Sequence, residues 1–214
     1  MRLTKFTHAC VRLDDDGRAL VIDPGEFSET ATALEGASAV LITHEHFDHL
    51  DVEALLAGAR ANPDMRVWAP APVVQKLAEL GSRATAVDAD ETFDAAGFSV
   101  QTFGGKHAVI HPALGTPCAN VGFMVNETVY HPGDSFFVPT VQVDTLLVPL
   151  HAPWSKIGEI IDFVVAVRPR RAFPIHDAML SEPGIKNSVG HVSRFADRYG
   201  SELRYLAPGD AIEI

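Results

Sequence analysis

The stretch Thr43-His44-Glu45-His46-Phe47-Asp48-His49-Leu50 sets three imidazoles and two carboxylates within six residues. It follows Ala39-Val40-Leu41-Ile42, a short apolar run with β-branched residues that reads as a buried strand. A strand that stops at such a cluster presents it on a loop held by a rigid scaffold. His44 and His46 lie two apart, so in extended backbone they share a side and can chelate one ion. Asp48 and His49 come just after the turn and can reach a second ion. Imidazole nitrogen with carboxylate oxygen suits Zn, Mn, Fe or Ni. The two cysteines, Cys10 and Cys118, form no CxxC pair and read as small buried side chains rather than thiolate ligands. Three further ligand-type residues stand at strand ends or in tight loops. They are His107 after Gly104-Gly105-Lys106, Asp134 in His131-Pro132-Gly133-Asp134-Ser135, and His176 after Arg171–Ile175.

The elements that must position these groups follow from the apolar pattern. Residues 2–13 and 18–22 read as a hairpin about Asp14-Asp15-Asp16-Gly17. Its second strand ends at Asp23, a carboxylate suited to orienting a ligand on a neighbouring loop. Asp51 can cap a helix to about Arg60, a strand covers 65–69, and a helix covers 73–80 before Gly81. Strands follow at 84–87 and 98–103 with the acidic loop 88–91 between them. A hairpin covers 119–125 and 128–130, a buried strand covers 146–148, a helix 156–167 and a strand 171–175. The last helix spans about 188–199, and two short strands close the chain. Hairpins opening each half, then alternating strands and helices, imply sheets with helices packed outside.

A chain of 214 residues with 47% hydrophobic and 21% charged residues is long enough for one sizeable core and short for two independent domains. One domain over 1–214 is expected. The net charge, 17 − 28 = −11, opposes a broad electrostatic grip on nucleic acid, though not a single phosphate at a metal centre. Met1–His8 shows no apolar signal region, and no apolar run approaches the roughly 20 residues that span a bilayer. A soluble cytoplasmic protein acting on a small molecule, with no membrane partner, is the expectation. The apolar segment Phe136-Phe137-Val138-Pro139 suits pocket, core or a homo-oligomer interface.

The pattern His-x-His-x-Asp-His at 44–49, with His107, Asp134 and His176 in order after it, resembles the metallo-β-lactamase fold superfamily across nearly the whole chain. Within it the chain is similar to small bacterial hydrolases that include L-ascorbate-6-phosphate lactonases. The resemblance implies an α/β (α+β) fold, a four-layer αβ/βα sandwich of two mixed sheets flanked by helices. It implies that His44, His46 and His107 hold one divalent metal ion and that Asp48, His49 and His176 hold a second. Asp134 would bridge them, and Asp23 would be the structural carboxylate of the first motif. Metal-assisted hydrolysis of a small ester, lactone or phosphodiester follows, with Asp48 doubling as proton acceptor and Asp134 as the second catalytic carboxylate.

The other polar residues divide less sharply. His131 is either a strand-end residue satisfied by backbone or an outer partner of the site facing substrate. His111, His151 and Trp154 are candidates for the substrate pocket, although Trp154 suits a core as well. His8 reads as packed in a strand, and His191 as exposed on a polar helix. A tRNA-maturation type of nuclease is the first rival, opposed by the charge and by the lack of a basic aromatic patch. A non-catalytic metal-binding scaffold is opposed by the complete ligand set. An iron oxidoreductase is opposed by the lack of a Gly-x-Gly-x-x-Gly signature, and a true β-lactamase by the expected compartment.

Overall fold

Apolar strands and amphipathic segments sort into two seven-stranded sheets in the computed structural model, which describes residues 1–214. The first half runs β1 (Arg2–Lys5), β2 (Val11–Asp15), β3 (Arg18–Ile22), α1 (Thr30–Ala33), β4 (Ala39–Leu41), α2 (Val52–Ala61), β5 (Arg66–Ala69), α3 (Ala71–Lys76) and β6 (Ala84–Ala86). The second runs β7 (Thr92–Ala95), β8 (Phe98–Gly104), β9 (Val121–Val125), β10 (Val129–His131), β11 (Thr145–Pro149), α4 (Ile157–Val167), β12 (Arg171–Ile175), α5 (Glu182–Arg198), β13 (Glu202–Leu203) and β14 (Ala211–Glu213). The sheet orders are β14-β1-β2-β3-β4-β5-β6 and β13-β12-β11-β10-β9-β8-β7. Each sheet is antiparallel on one side and parallel on the other, the change falling at β3–β4 and at β10–β11.

The layering comes from side-chain alternation along strands buried on both faces. Leu20, Ile22, Ala39 and Leu41 point between the sheets and pack there with Phe98, Phe123, Leu147 and Phe173. Val21, Val40 and Ile42 point the other way, onto Leu55 and Ala59 of α2. The second sheet repeats this with Leu146 and Val148 against Ile160 and Phe163 of α4 and Val192 and Ala196 of α5. Helix, sheet, sheet and helix thus form the four layers expected. Asp51 caps α2, its Oδ1 accepting from Ala54 N at 2.9 Å. No helix is long and apolar enough to cross a membrane.

Four expectations change. Residues 2–13 are not one strand, because Phe6 N donates to the Cys10 carbonyl at 2.9 Å and closes a loop with His8 at φ 65°. The helix expected at 73–80 divides into α3 and a 3-10 segment, Ala78–Arg83, broken at Gly81. The acidic run is followed by β7, a half-exposed edge strand with too little apolar content to signal itself. The last helix starts at Glu182 rather than Ser188. Ser181 caps it, and Pro183 sits in the first turn, where its missing N–H has no intrahelical partner to lose. The closing strands also part company: β13 joins the second sheet and β14 the first.

The parallel strands fix where chemistry can occur. β3, β4, β10, β11 and β12 end toward Asp23, the 43–50 loop, Gly133-Asp134, His151 and His176 respectively. Loops at the carboxyl ends of parallel strands are where such sheets bind ligands.

Candidate metal centre

Asp23 anchors the first half of the site. It is buried at φ 51°, just past β3. Its Oδ1 accepts from Thr43 N at 2.7 Å, and its Oδ2 accepts from Thr43 Oγ1 and His49 Nδ1, each at 2.7 Å. The loop after β4 is therefore stitched to the end of β3. Gly25 lets them approach, since a Cβ there would overlap the Asp48 carbonyl. Because the Thr43 hydroxyl donates to Asp23, its oxygen is left to accept from His44 Nδ1, 3.0 Å away. That assignment leaves His44 Nε2 as the ring's acceptor.

The second half uses backbone oxygen for the same purpose. His107 Nδ1 donates to the Ala108 carbonyl at 2.6 Å, and His176 Nδ1 to the His151 carbonyl at 2.5 Å. Fixing the outer nitrogen as donor leaves the inner one with a free lone pair, as metal-ligating histidines require. Asp134 is set by Gly133, at φ 63°, where a Cβ would overlap Asn120 Oδ1 and crowd Thr43. Asn120 Oδ1 accepts from Asp134 N at 2.9 Å while its Nδ2 donates to the Pro132 carbonyl at 2.9 Å. Trp154 Nε1 donates to Asp134 Oδ2 at 2.8 Å.

These groups converge. Ligand atoms of His44, His46 and His107 lie within 4.8 Å of one another, as do those of His44, His49 and Asp134, and those of His8, Asp48, His49 and His176. Asp134 Oδ1 stands 3.0 Å from His49 Nε2 and 3.2 Å from His176 Nε2, and its Oδ2 is 3.2 Å from His107 Nε2. His49 Nε2, His176 Nε2 and Asp134 Oδ1 are buried without an aligned hydrogen bond despite these short separations. An unpaired buried polar atom costs about 1–3 kcal/mol. Three such atoms aimed at one another are the arrangement a shared cation satisfies. Imidazole and carboxylate donors fit a divalent one.

Protonation follows the same geometry. Burial disfavours charge on His49, but Asp134 and Asp23 outweigh it and hold the imidazolium well above its ordinary range. Burial likewise opposes charge on His176, yet contact with Asp134 and Asp48 pushes its pKa to about 9. Burial would raise Asp134 and Asp48; the surrounding imidazoles hold both far below the usual carboxylate range. His44 goes the opposite way, lowered by its burial and by the positive charge of His49.

All seven positions expected as ligands meet in this cluster, with Asp23 beneath them. His131 lies behind it rather than facing substrate. Its Nε2 donates to the Ala9 carbonyl at 2.9 Å, and its Nδ1 accepts from Gly133 N at 3.1 Å, which braces the turn before Asp134. Trp154 is neither core nor free pocket wall, since its N–H is committed to Asp134. His151 contributes its carbonyl to His176, and His111 lines the hollow beside His46 while accepting from Ala113 N at 3.1 Å. Phe136 packs on Trp154 and Phe163, so that apolar segment is partly core.

Two residues depart from their sequence reading. Cys118 is half-buried rather than buried, and its Sγ lies 3.9 Å from His46 Nε2. His8 is packed, as expected, but in a loop and inside the site. Its Nε2 is 3.2 Å from Asp48 Oδ2, its ring is 3.9 Å from that of His176, and its Nδ1 accepts from Ala178 N at 3.3 Å. The nearby Asp14-Asp15-Asp16-Gly17 turn gave no hint of the break at Phe6–Cys10 that turns His8 inward.

Comparison with known proteins places this geometry. Residues 2–176 match a family model described as a beta-lactamase superfamily domain. Protein Rv0786c of Mycobacterium tuberculosis is 40% identical over 186 residues, covering 85% of this chain and 86% of that one. A protein of Aeropyrum pernix named UPF0173 metal-dependent hydrolase is 28% identical over 243 residues, covering 100% of this chain and 97% of its own. Among solved structures, Igni18, a metallo hydrolase from Ignicoccus hospitalis, superposes with a TM-score of 0.74 at 19% identity, covering 99% of this chain and 97% of that one.

Proposed function

This chain belongs to the β-lactamase superfamily domain family and is a metal-dependent hydrolase of the metallo-β-lactamase fold, and on that premise we propose that residues 1–214 form one dinuclear hydrolase domain. The bond classes that suit such a site are a small ester, a lactone and a phosphodiester. His44, His46 and His107 would hold one divalent ion, Asp48, His49 and His176 the other, and Asp134 both, with Zn, Mn, Fe and Ni all compatible with the donors. Bound there, such ions supply Lewis acidity toward a carbonyl or phosphoryl oxygen and lower the pKa of a coordinated water from about 15.7 to about 7 at the most acidifying zinc sites.

The chain's own groups hold this machinery in register. Asp23 and the Ala108 and His151 carbonyls fix the histidine tautomers. Trp154 holds one oxygen of Asp134 and leaves Oδ1 turned toward His49 and His176. Asp48 stays ionised across the physiological range, which suits it as a ligand and leaves its carboxylate in the form that can accept a proton. The observation that carries the reading is the set of three buried, unaligned ligand atoms on His49, His176 and Asp134.

The test is metal analysis with a hydrolysis panel of a phosphodiester, a lactone, a carboxylic ester, a thioester and a β-lactam. Each is repeated with chelator and with Asp134→Ala. We expect two divalent ions per chain, one bond class cleaved, and that activity lost in both controls. Asp134→Ala should stay folded and lose one ion. Unchanged metal content and turnover in Asp134→Ala would sink the assignment.

A further inference from the structure

Beside His46 and His107 the 108–118 segment encloses a hollow of about 240 Å³. At ~30 Å³ per water in the liquid, that is room for roughly eight waters, the scale of a small organic group. Val109, Ile110, Leu114 and Pro117 form its apolar wall, with His111 and Cys118 between them. Val109 is 51% exposed, Ile110 47% and Leu114 72%. Phe47, set between His46 and Asp48, is 54% exposed and packs edge-on against Phe27. A lone exposed aliphatic residue is ordinary, but a group of them around the mouth of a polar site marks ligand binding.

The hollow also offers an anion no lysine or arginine. No Asp, Glu, Lys or Arg lines it. Lys76 is committed to Glu45, its Nζ 2.9 Å from Oε2 and 3.2 Å from the carbonyl. Lys106 borders a separate hollow that it shares with Asp88. The backbone N–H groups of Ala113, Leu114 and Gly115 are already used, by His111 Nδ1, the His111 carbonyl and the Pro112 carbonyl. Metal ions could hold a phosphoryl group undergoing reaction. A spectator phosphate elsewhere on the substrate would meet the aliphatic wall of Val109, Ile110, Leu114 and Pro117 with no Lys or Arg to balance its charge, which is unfavourable.

We propose that the substrate of the hydrolase reading above is a small uncharged molecule whose apolar group seats in this hollow, and not a phosphorylated one. Binding then divides by chemistry. The metal ligands take the reacting polar bond, and the 108–118 wall takes the apolar remainder.

Cys118 reports occupancy without any need for turnover, because Cys10 is fully buried and Cys118 stands in the hollow's wall. The rate of its alkylation by N-ethylmaleimide is read by mass spectrometry on metal-free protein, with Cys118→Ser as the control. Hexanamide should protect it and β-glycerophosphate should not. Protection should strengthen about fourfold for each methylene from butanamide to hexanamide. Leu114→Asp, at an exposed position, should weaken hexanamide protection about tenfold. Metal-loaded enzyme is then compared on p-nitrophenyl acetate and p-nitrophenyl hexanoate, where the longer chain should lower KM. Equal or better protection by β-glycerophosphate, or indifference to chain length and to Leu114→Asp, overturns the assignment. Protection as expected with no turnover of any panel compound by metal-loaded protein would retain the apolar hollow and overturn the hydrolase reading instead.

Discussion

At the scale of single residues, the site depends on groups beyond the seven expected ligands. His8 shows this most directly: its ring donates to Asp48 and touches His176, and the Ala178 amide fixes its orientation. Outer partners of this kind typically change metal affinity or activity about 10–100-fold when removed. His8→Ala should lower affinity for the ion proposed at Asp48 by that factor, with the fold intact by circular dichroism. His8→Gln, which keeps an N–H donor, should recover part of it. Equal losses in both variants would make His8 a packing residue only. Protonation gives a second prediction. His176 must be neutral to ligate, and contact with Asp134 and Asp48 holds its pKa near 9. Ion binding therefore displaces a proton, and affinity should rise with pH until it levels off near 9. The sign for the metal-free protein is opposite. Its folded pKa lies above the unfolded value, so this group's stabilisation is full below about 6.5 and fades as pH climbs through about 9. Calorimetric titration in buffers of different ionisation enthalpy counts the released protons, and a pH-independent affinity would contradict the assignment.

At the scale of elements, the ligand loops are held by ties between strands that are distant in sequence. Lys5, 1% exposed in β1, places its Nζ 3.1 Å from Asp177 Oδ1 and 3.1 Å from the Phe6 carbonyl, next to His176. Lys5→Met strands a buried carboxylate and should cost about 3–5 kcal/mol. It would be read as a lower urea midpoint at unchanged slope. Lys5→Met with Asp177→Leu should restore most of that loss, since no charge then remains unpaired. A single variant within about 1 kcal/mol of the parent would show the pair to be unimportant. Nothing local announces such a tie, because Lys5 reads as an ordinary strand residue until the fold brings Asp177 over it. The contrast with the ligands is physical. His44 to His49 are legible because spacing along one strand-to-loop junction sets their geometry. β3, β4, β11 and β12 are legible because burial on both faces demands unbroken apolar runs. The break at Phe6–Cys10, the edge strand β7 and the start of α5 were not, since each is decided by backbone hydrogen bonds and capping rather than by periodicity. For the same reason His107 and His176 gained meaning only from their order behind the first cluster.

At the scale of the whole molecule, the candidate ligands divide between the sheets. His44, His46, Asp48 and His49 follow the first sheet's β4, while His107, Asp134 and His176 follow strands of the second. The site is thus as rigid as the contact between the sheets. All seven candidate ligands lie within residues 2–176, the part that matches the family model. Residues 177–214 supply none, yet they clasp both halves. α5 lays Val192 and Ala196 over the α4 side of the second sheet, and Leu206 is fully buried between the sheets. β13 pairs with β12, β14 pairs with β1, and Gly209 N donates to the Lys5 carbonyl at 2.7 Å. Losing each large buried aliphatic contact costs about 2–5 kcal/mol, against a total stability of about 5–15 kcal/mol for an ordinary domain. It also uncovers two sheet edges that invite association. A chain ending at Leu180 keeps every candidate ligand, so ligand chemistry alone predicts that it binds metal. The packing predicts the reverse: no cooperative thermal transition, aggregation on size exclusion, and no stoichiometric ion even in excess zinc. A folded, metal-binding fragment would show that the ligand loops hold each other in place through the ions, and that the clasp is dispensable.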